Sequence, residues 1–130
     1  MLTVKDVAKK FNISEHAVRY YSDENLIPNL KRDKNNNRIF DEETLNWIQG
    51  IICLRNCGMS IKSIKEYVNL CLIGDSTVKE RKNIILEQKK LIDEEIKKLN
   101  QSSIFLNHKL EIYDKVLSNQ IKDPTNPKKW

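Results

Sequence analysis

The chain has 130 residues, of which 39% are hydrophobic and 32% charged, with a mean hydropathy of -0.60. That length favours one compact domain or a small domain with an extension, and that balance excludes a globally disordered chain. Aromatics at 7% argue against a large β-sandwich, and no apolar run approaches the ~18–20 residues of a membrane-spanning helix. Lys and Arg number 23 against 18 Asp and Glu, a net charge of +5 that suits an anionic partner such as nucleic acid. Lys5, Asp6, Lys9 and Lys10 leave no apolar leader after Met1, so a cytoplasmic location is expected, with the three cysteines reduced.

In chain order, Val4, Val7, Ala8 and Phe11 fall at helical spacing, with Thr3 as cap and Asp6 three residues on. Asn12 tolerates a left-handed turn, and Ser14 then caps a second helix from Glu15 to about Glu24, whose Ala17, Val18 and Tyr21 face the first. Two short helices joined by about three residues have helix-turn-helix spacing. Leu26-Ile27-Pro28 and Ile39-Phe40 flank the basic, Asn-rich stretch 31–38, which predicts a β-hairpin with its strands in the two apolar pieces. A basic hairpin after a helix-turn-helix reads as a wing.

Asp41 caps a third helix, with Glu42 and Glu43 in its first turn, running to about Cys57 and stopped by Gly58. Leu45, Ile48, Ile52 and Leu54 form its expected buried side, and Trp47 reads as a core residue. Ser60 caps a fourth helix to about Leu72, with Ile61, Ile64, Val68 and Leu72 on one face, before a break at Gly74-Asp75-Ser76. Thr77 with Glu80 predicts a capping box for a longer helix.

In that helix Val78, Ile85, Ile92, Leu99, Leu106 and Tyr113 recur every seven residues, with Ile96, Leu110 and Leu117 as the second seam position. Lys89 and Ser103 are the polar exceptions, and Lys90/Glu94, Asp93/Lys97, Glu94/Lys98 and Glu111/Lys115 are opposite charges at helical spacing. A heptad helix of roughly 40 residues and roughly 60 Å follows. The preceding domain, residues 1–75, is too small to cover such a stripe, so residues 76–120 are expected to form a dimerisation coiled coil with a second copy. Residues 121–130 read as a disordered tail, with Trp130 as a mobile end. The fold class is therefore mainly α: an N-terminal winged helix-turn-helix, two further helices and a long C-terminal coiled-coil helix.

The strings Val18-Arg19-Tyr20-Tyr21, Leu26-Ile27-Pro28, Lys31-Arg32, Asn37-Arg38-Ile39-Phe40 and Cys57-Gly58-Met59-Ser60-Ile61, in this order and spacing, resemble the MerR family of bacterial transcription regulators. The resemblance covers about residues 2–118. At the wing tip the family usually has Asn-Gly-Tyr/Ile-Arg, where this chain has Asn35-Asn36-Asn37-Arg38, and Glu15-His16 is less basic than the Ser/Thr-Lys often found there. Trp47-Ile48, Cys53-Leu54-Arg55, Lys65-Glu66-Tyr67-Val68, Glu80-Arg81-Lys82 and Leu110-Glu111-Ile112-Tyr113 are similar to the aldehyde- and thiol-stress-responsive branch.

The resemblance implies a homodimer through an antiparallel coiled coil. Its double-stranded promoter DNA would carry a two-fold-related operator, distorted so that RNA polymerase can use the promoter. It implies DNA-binding roles for Ser14, His16, Arg19, Tyr20, Tyr21, Arg32 and Arg38, and an effector-sensing role for Cys53. No catalytic residue, metal or other cofactor is implied. Ser76 and Thr77 stand where the family's metal sensors place a cysteine at the helix start.

The residues alone leave alternatives. Tyr21 serves packing or a contact, and the wing arginines serve phosphate or a solvated loop. Cys53 and Cys57 share one face of the third helix, and free cysteines often act as small buried hydrophobes; Cys53 has no basic residue three or four positions away to activate it. Cys71 reads as structural, and His16 and His108 as surface residues outside any metal site. A structural DNA-binding coiled-coil protein without effector, and a regulator sensing a small organic ligand, are the rival readings. An enzyme is not favoured, because the sequence offers no Ser/His/Asp set, no Gly-rich phosphate loop and no carboxylate pair with a cleft to hold it.

Overall fold

The computed structural model describes residues 1–125 and residue 128. The chain is mainly helical, with a small sheet near its N-terminus and a long C-terminal helix. It forms two compact units, Met1–Gln88 and Lys89–Trp130.

The first unit opens with strand β1 (Leu2–Thr3) and helix α1 (Val4–Phe11). The Thr3 hydroxyl accepts from the Asp6 amide at 3.2 Å while the Asp6 carboxylate accepts from the Thr3 amide at 3.0 Å, a reciprocal cap. Asn12 ends α1 with φ 54°. Helix α2 (Glu15–Asp23) starts on the Ser14 hydroxyl, which accepts from the Ala17 amide at 3.0 Å.

The hairpin's first strand falls after Pro28 instead of on Leu26-Ile27-Pro28, while its second contains the expected Ile39-Phe40. Its strands are β2 (Lys31–Arg32) and β3 (Arg38–Phe40), and β1 joins them in the antiparallel order β1-β3-β2. Leu2 faces Phe40 and Thr3 faces Ile39 across β1 and β3, and Arg32 faces Arg38 across β2 and β3. Leu26 and Ile27 are core residues instead of a strand, being 0% and 6% exposed. Their apolarity serves burial, whereas the ladder falls on the basic residues after Pro28.

Helix α3 (Glu42–Asn56) is capped by the Asp41 carboxylate on the Thr44 amide at 2.9 Å. Its buried residues are Thr44, Ile48 and Ile51, so the core-facing stripe is shifted from the expected one; Leu45, Trp47, Ile52 and Leu54 pack at its margin. Cys57 closes α3, and Gly58 follows with φ 84°, a left-handed step that lets the Met59 amide return to the Leu54 carbonyl. Met59 is thereby buried.

Helix α4 (Ile61–Ile73) is capped by Ser60 and buries Ile64 and Val68, but Leu72 is exposed at its end. Val7, Val18, Leu26, Phe40, Ile48, Ile51 and Ile64 meet in one core shared by the helix-turn-helix, the sheet and the helix pair. Fully burying each such side chain contributes roughly 1.5–3 kcal/mol.

A 3-10 turn (Asp75–Thr77) leads into α5 (Val78–Leu117). The expected capping box at Thr77 is replaced by a different bond. Thr77 is buried, and its hydroxyl lies 2.6 Å from the Leu70 carbonyl and 2.8 Å from the Gly74 carbonyl. The Arg81 guanidinium donates to the same hydroxyl at 3.0 Å. The hydroxyl hydrogen thus serves the end of α4.

Helix α5 has 40 residues and no buried one. In the second unit, Ile96, Leu99, Leu106, Leu110, Tyr113 and Leu117, all from the seven-residue pattern, are exposed. Lys89 pairs with Asp93 at 2.8 Å one helical turn away. Beyond α5, Thr125 hydrogen-bonds the Tyr113 hydroxyl at 3.0 Å. Of the segment expected to be disordered, residues 126, 127, 129 and 130, including Trp130, lie outside the described residues.

Candidate nucleic-acid interface

The short turn between α1 and α2 sets two amphipathic helices against each other, and the sheet places the wing beside α2. Val18 is buried between these elements while the opposite side of α2 stays open, which follows from its apolar spacing.

On α2, His16, Arg19 and Tyr20 are exposed, and Tyr21 is half-buried against the core. Tyr21 therefore has a packing role whatever else it does. Ser14 is exposed, with its hydroxyl engaged as the helix cap. The Arg19 guanidinium lies 3.4 Å from the Glu15 carboxylate, one turn back on the same face, with both side chains about half exposed.

The wing is built around Asp33. Its carboxylate accepts from the amides of Asn35 and Asn37, both at 2.9 Å, and its carbonyl accepts from the Asn36 amide at 3.0 Å. Asn36 has φ 63°. It occupies the position where the resemblance has glycine and supplies the same left-handed step. Arg32 is exposed and donates to the Asn36 carbonyl at 2.9 Å, and Lys31 pairs with Asp41 at 3.0 Å. The Thr44 amide first, and the Lys31 ammonium second, hold the Asp41 carboxyl down to about 2.

Arg38 differs from the open loop cation that its position in the chain predicts. Its side chain is 17% exposed, and its guanidinium donates to the Ser22 hydroxyl at 2.9 Å and to the Asp23 carboxylate at 2.5 Å. It ties β3 to the end of α2. Ser22 and Asp23 were not legible as site residues, since the contact spans 15–16 residues of chain. The helical spacing of Glu15 and Arg19, and the Asp-x-x-x-Asn run of the wing, are local signals that do reveal their pairings.

The starts of α1 and α2 and the wing enclose a cleft of about 310 Å³, whose walls include Lys5, Glu15, Arg19, Asp33, Asn37 and Arg38. Arg19 and Arg38 are thus brought to one place, while Tyr21 is turned to the core.

Cys53 and Cys57 are both exposed, which corrects the expectation of small buried hydrophobes. The Cys57 carbonyl accepts from the Gln88 amide at 2.6 Å. Cys71 is half-buried beside Tyr67, whose phenol is pushed up by burial and by that thiol. A second cleft, of about 560 Å³, lies between α4 and the first turns of α5 and is lined by Glu66, Asn69, Leu70, Glu80, Asn83 and Ile84. No helix among the described residues is long and apolar enough to cross a membrane.

Residues 2–71 match the family described as MerR HTH family regulatory protein. An uncharacterised HTH-type transcriptional regulator of Haemophilus influenzae is 37% identical over 113 residues, 87% of this chain and 84% of its own length. The HTH-type transcriptional regulator AdhR of Bacillus subtilis is 40% identical over 93 residues, 72% of this chain and 66% of its own length. Among solved structures, HiNmlR, a MerR family regulator lacking the sensor domain, bound to promoter DNA, superposes with a TM-score of 0.75 at 36% identity. That match covers 89% of this chain and 92% of the other.

Proposed function

Since the chain belongs to the MerR family of HTH regulatory proteins, we propose that this DNA-binding transcriptional regulator works as a homodimer that distorts promoter DNA and answers reactive aldehydes or thiol stress through Cys53. The observation that carries the DNA reading is the joining of α2 and the wing around one cleft bearing Arg19 and Arg38. A similar regulator bound to promoter DNA supports the same partner. Residues 1–75 are the DNA-binding part. His16, Arg19, Tyr20, Arg32 and Arg38 supply groove and phosphate contacts, Tyr21 supports them from the core, and Ser14 fixes the start of α2.

Residues 76–120 are the dimerisation helix. Exposed Leu99, Leu106 and Leu110 form an apolar stripe that a second, antiparallel copy covers. A two-fold dimer needs a two-fold-related operator. Bending or twisting that operator stores on the order of a few kcal/mol in the DNA, which an effector redirects toward a promoter geometry that RNA polymerase can use.

Exposure supports Cys53 as the sensor, because a thiol must reach the electrophile and attack it as thiolate. Similarity to AdhR supports this branch of the family. A second reading, a small organic effector, is favoured by the cleft between α4 and α5, whose two carboxylates and two carboxamides suit a ligand bearing hydrogen-bond donors.

The deciding experiment is in vitro transcription from the promoter upstream of the protein's own gene, with wild type and Cys53→Ser, with and without a reactive aldehyde. Aldehyde-dependent activation that disappears in the variant supports the sensor. Promoter-specific regulation indifferent to aldehyde moves the effector to the second reading, and no effect on transcription removes the regulatory mechanism.

A further inference from the structure

The cleft between α1, α2 and the wing has the lining of a phosphodiester seat, except for one residue. Lys5, Arg19 and Arg38 contribute three positive charges, and Glu15 and Asp33 two negative ones. Asp33 is engaged internally, holding the amides of the wing turn. Arg38 is likewise held, by the short bond to Asp23 and a second bond to Ser22. That leaves Arg19 as the arginine of the cleft with a loosely held partner: its bond to Glu15 is 3.4 Å long and both side chains are about half exposed. An exposed pair of this kind contributes little to stability. Glu15 also stands in the first turn of α2, where the helix dipole favours a carboxylate by roughly 0.3–1 kcal/mol, and this stabilising role is compatible with a second one in the basic cleft.

We infer that Glu15 is an internal stand-in for a DNA phosphate, occupying the Arg19 guanidinium in the free protein and yielding it to the duplex backbone on binding. A carboxylate and a phosphate offer the same planar donor fork the same kind of acceptor oxygens. On this account DNA exchanges partners with Arg19 without gaining a free cation. The displaced carboxylate then remains beside the phosphate and repels it. Glu15 thereby weakens backbone attraction, the component shared by all sequences, and leaves discrimination to groups that touch base edges. The inference rests on the proposed DNA-binding surface.

The test measures dissociation constants of wild type, Glu15→Gln, Arg19→Gln and the double variant across a salt series. Two duplexes of equal length are used, one carrying the protein's own promoter and one of unrelated sequence. Glu15→Gln is expected to tighten binding to both duplexes, on the order of tenfold at low salt. It should also steepen the logarithmic salt slope by up to about one. In the Arg19→Gln background the gain should shrink markedly, because the competed cation is gone. Unchanged affinity and slope in Glu15→Gln would make the pair a plain surface contact. Weaker binding of Glu15→Gln to the promoter duplex, with binding to the unrelated duplex unchanged, would make Glu15 a base reader instead. Failure of the wild type to bind either duplex would overturn the DNA-binding surface itself, and the inference with it.

Discussion

Replacing Arg38 by alanine separates the two functions that this side chain combines. In the folded chain its guanidinium bridges the wing strand to the end of α2 through Ser22 and Asp23, and 17% of its side chain is exposed. The Asp23 partner is 62% exposed, so this half of the bridge belongs with surface ion pairs and contributes about 1 kcal/mol or less. The Ser22 bond is shielded and charge-assisted, and such bonds contribute roughly 1.5–3 kcal/mol. Arg38→Ala should therefore destabilise the fold by about 2–3 kcal/mol, read as a lowered urea midpoint at fixed protein concentration. Arg38→Lys should recover about half, because one ammonium cannot span both acceptors as the planar fork does. In DNA titrations Arg38→Ala should also weaken operator binding and flatten the logarithmic salt slope by about 0.9, because one phosphate is no longer neutralised. Asp23→Asn, which keeps the guanidinium and removes its competing carboxylate, should not flatten that slope. An Arg38→Ala unfolding free energy within about 0.5 kcal/mol of wild type would refute the bridge, that being the spread of ordinary surface substitutions.

Two further outcomes test other parts of the fold. The Asp41 carboxyl is held at about 2, below its ordinary 3.8, mainly by the Thr44 amide and then by Lys31. A lowered folded value means stabilisation that is present above about pH 4 and is lost as the pH falls toward 2. Asp41→Asn should flatten the acid limb of stability in that window, and identical limbs in the two proteins would contradict the assignment. Asp6, lowered by the Thr3 amide, should preserve part of the limb in the variant. Leu106 is 58% exposed on the heptad column of α5. Leu106→Asp places a charge in the proposed seam and should yield monomers at micromolar concentration in sedimentation equilibrium; a variant that stays dimeric would place the interface elsewhere.

The parts of the fold that local chemistry dictates were legible along the chain. Thr3, Ser14, Asp41 and Ser60 cap helices because a short oxygen-bearing side chain reaches an amide about three residues on, a relation written entirely in neighbours. The long helix was legible for the same reason, since its period repeats without Gly or Pro. The sheet was not. β1 is two residues long and is defined by partners at Ile39 and Phe40, so no alternation could mark it. Leu26 and Ile27 carried a strand-like apolar signal that the core absorbed. At the interface, the basic residues were readable as charges, but which of them are held was not. The Asp23–Arg38 contact and the cleft arise only when the wing folds back onto α2. The exposure of Cys53 was also hidden, because α3 turns Thr44 and Ile51 inward rather than following its apolar stripe alone.

The asparagines at the corners of this chain bear on its unfolded state. Asn12, Asn25, Asn29, Asn36 and Asn119 all adopt positive φ, and among the described residues every non-glycine in that region is an asparagine. Most L-residues lose roughly 1–2 kcal/mol there, and asparagine less, because its amide can bond locally. Glycine would reach the same angles freely, but it widens the ensemble from which the chain must fold, a disadvantage of about 0.4–1 kcal/mol at each compatible site. The two effects are of similar size and opposite sign. Asn→Gly exchanges at these corners should therefore be close to neutral in net stability, while enlarging the denatured ensemble against which the small N-terminal core must compete.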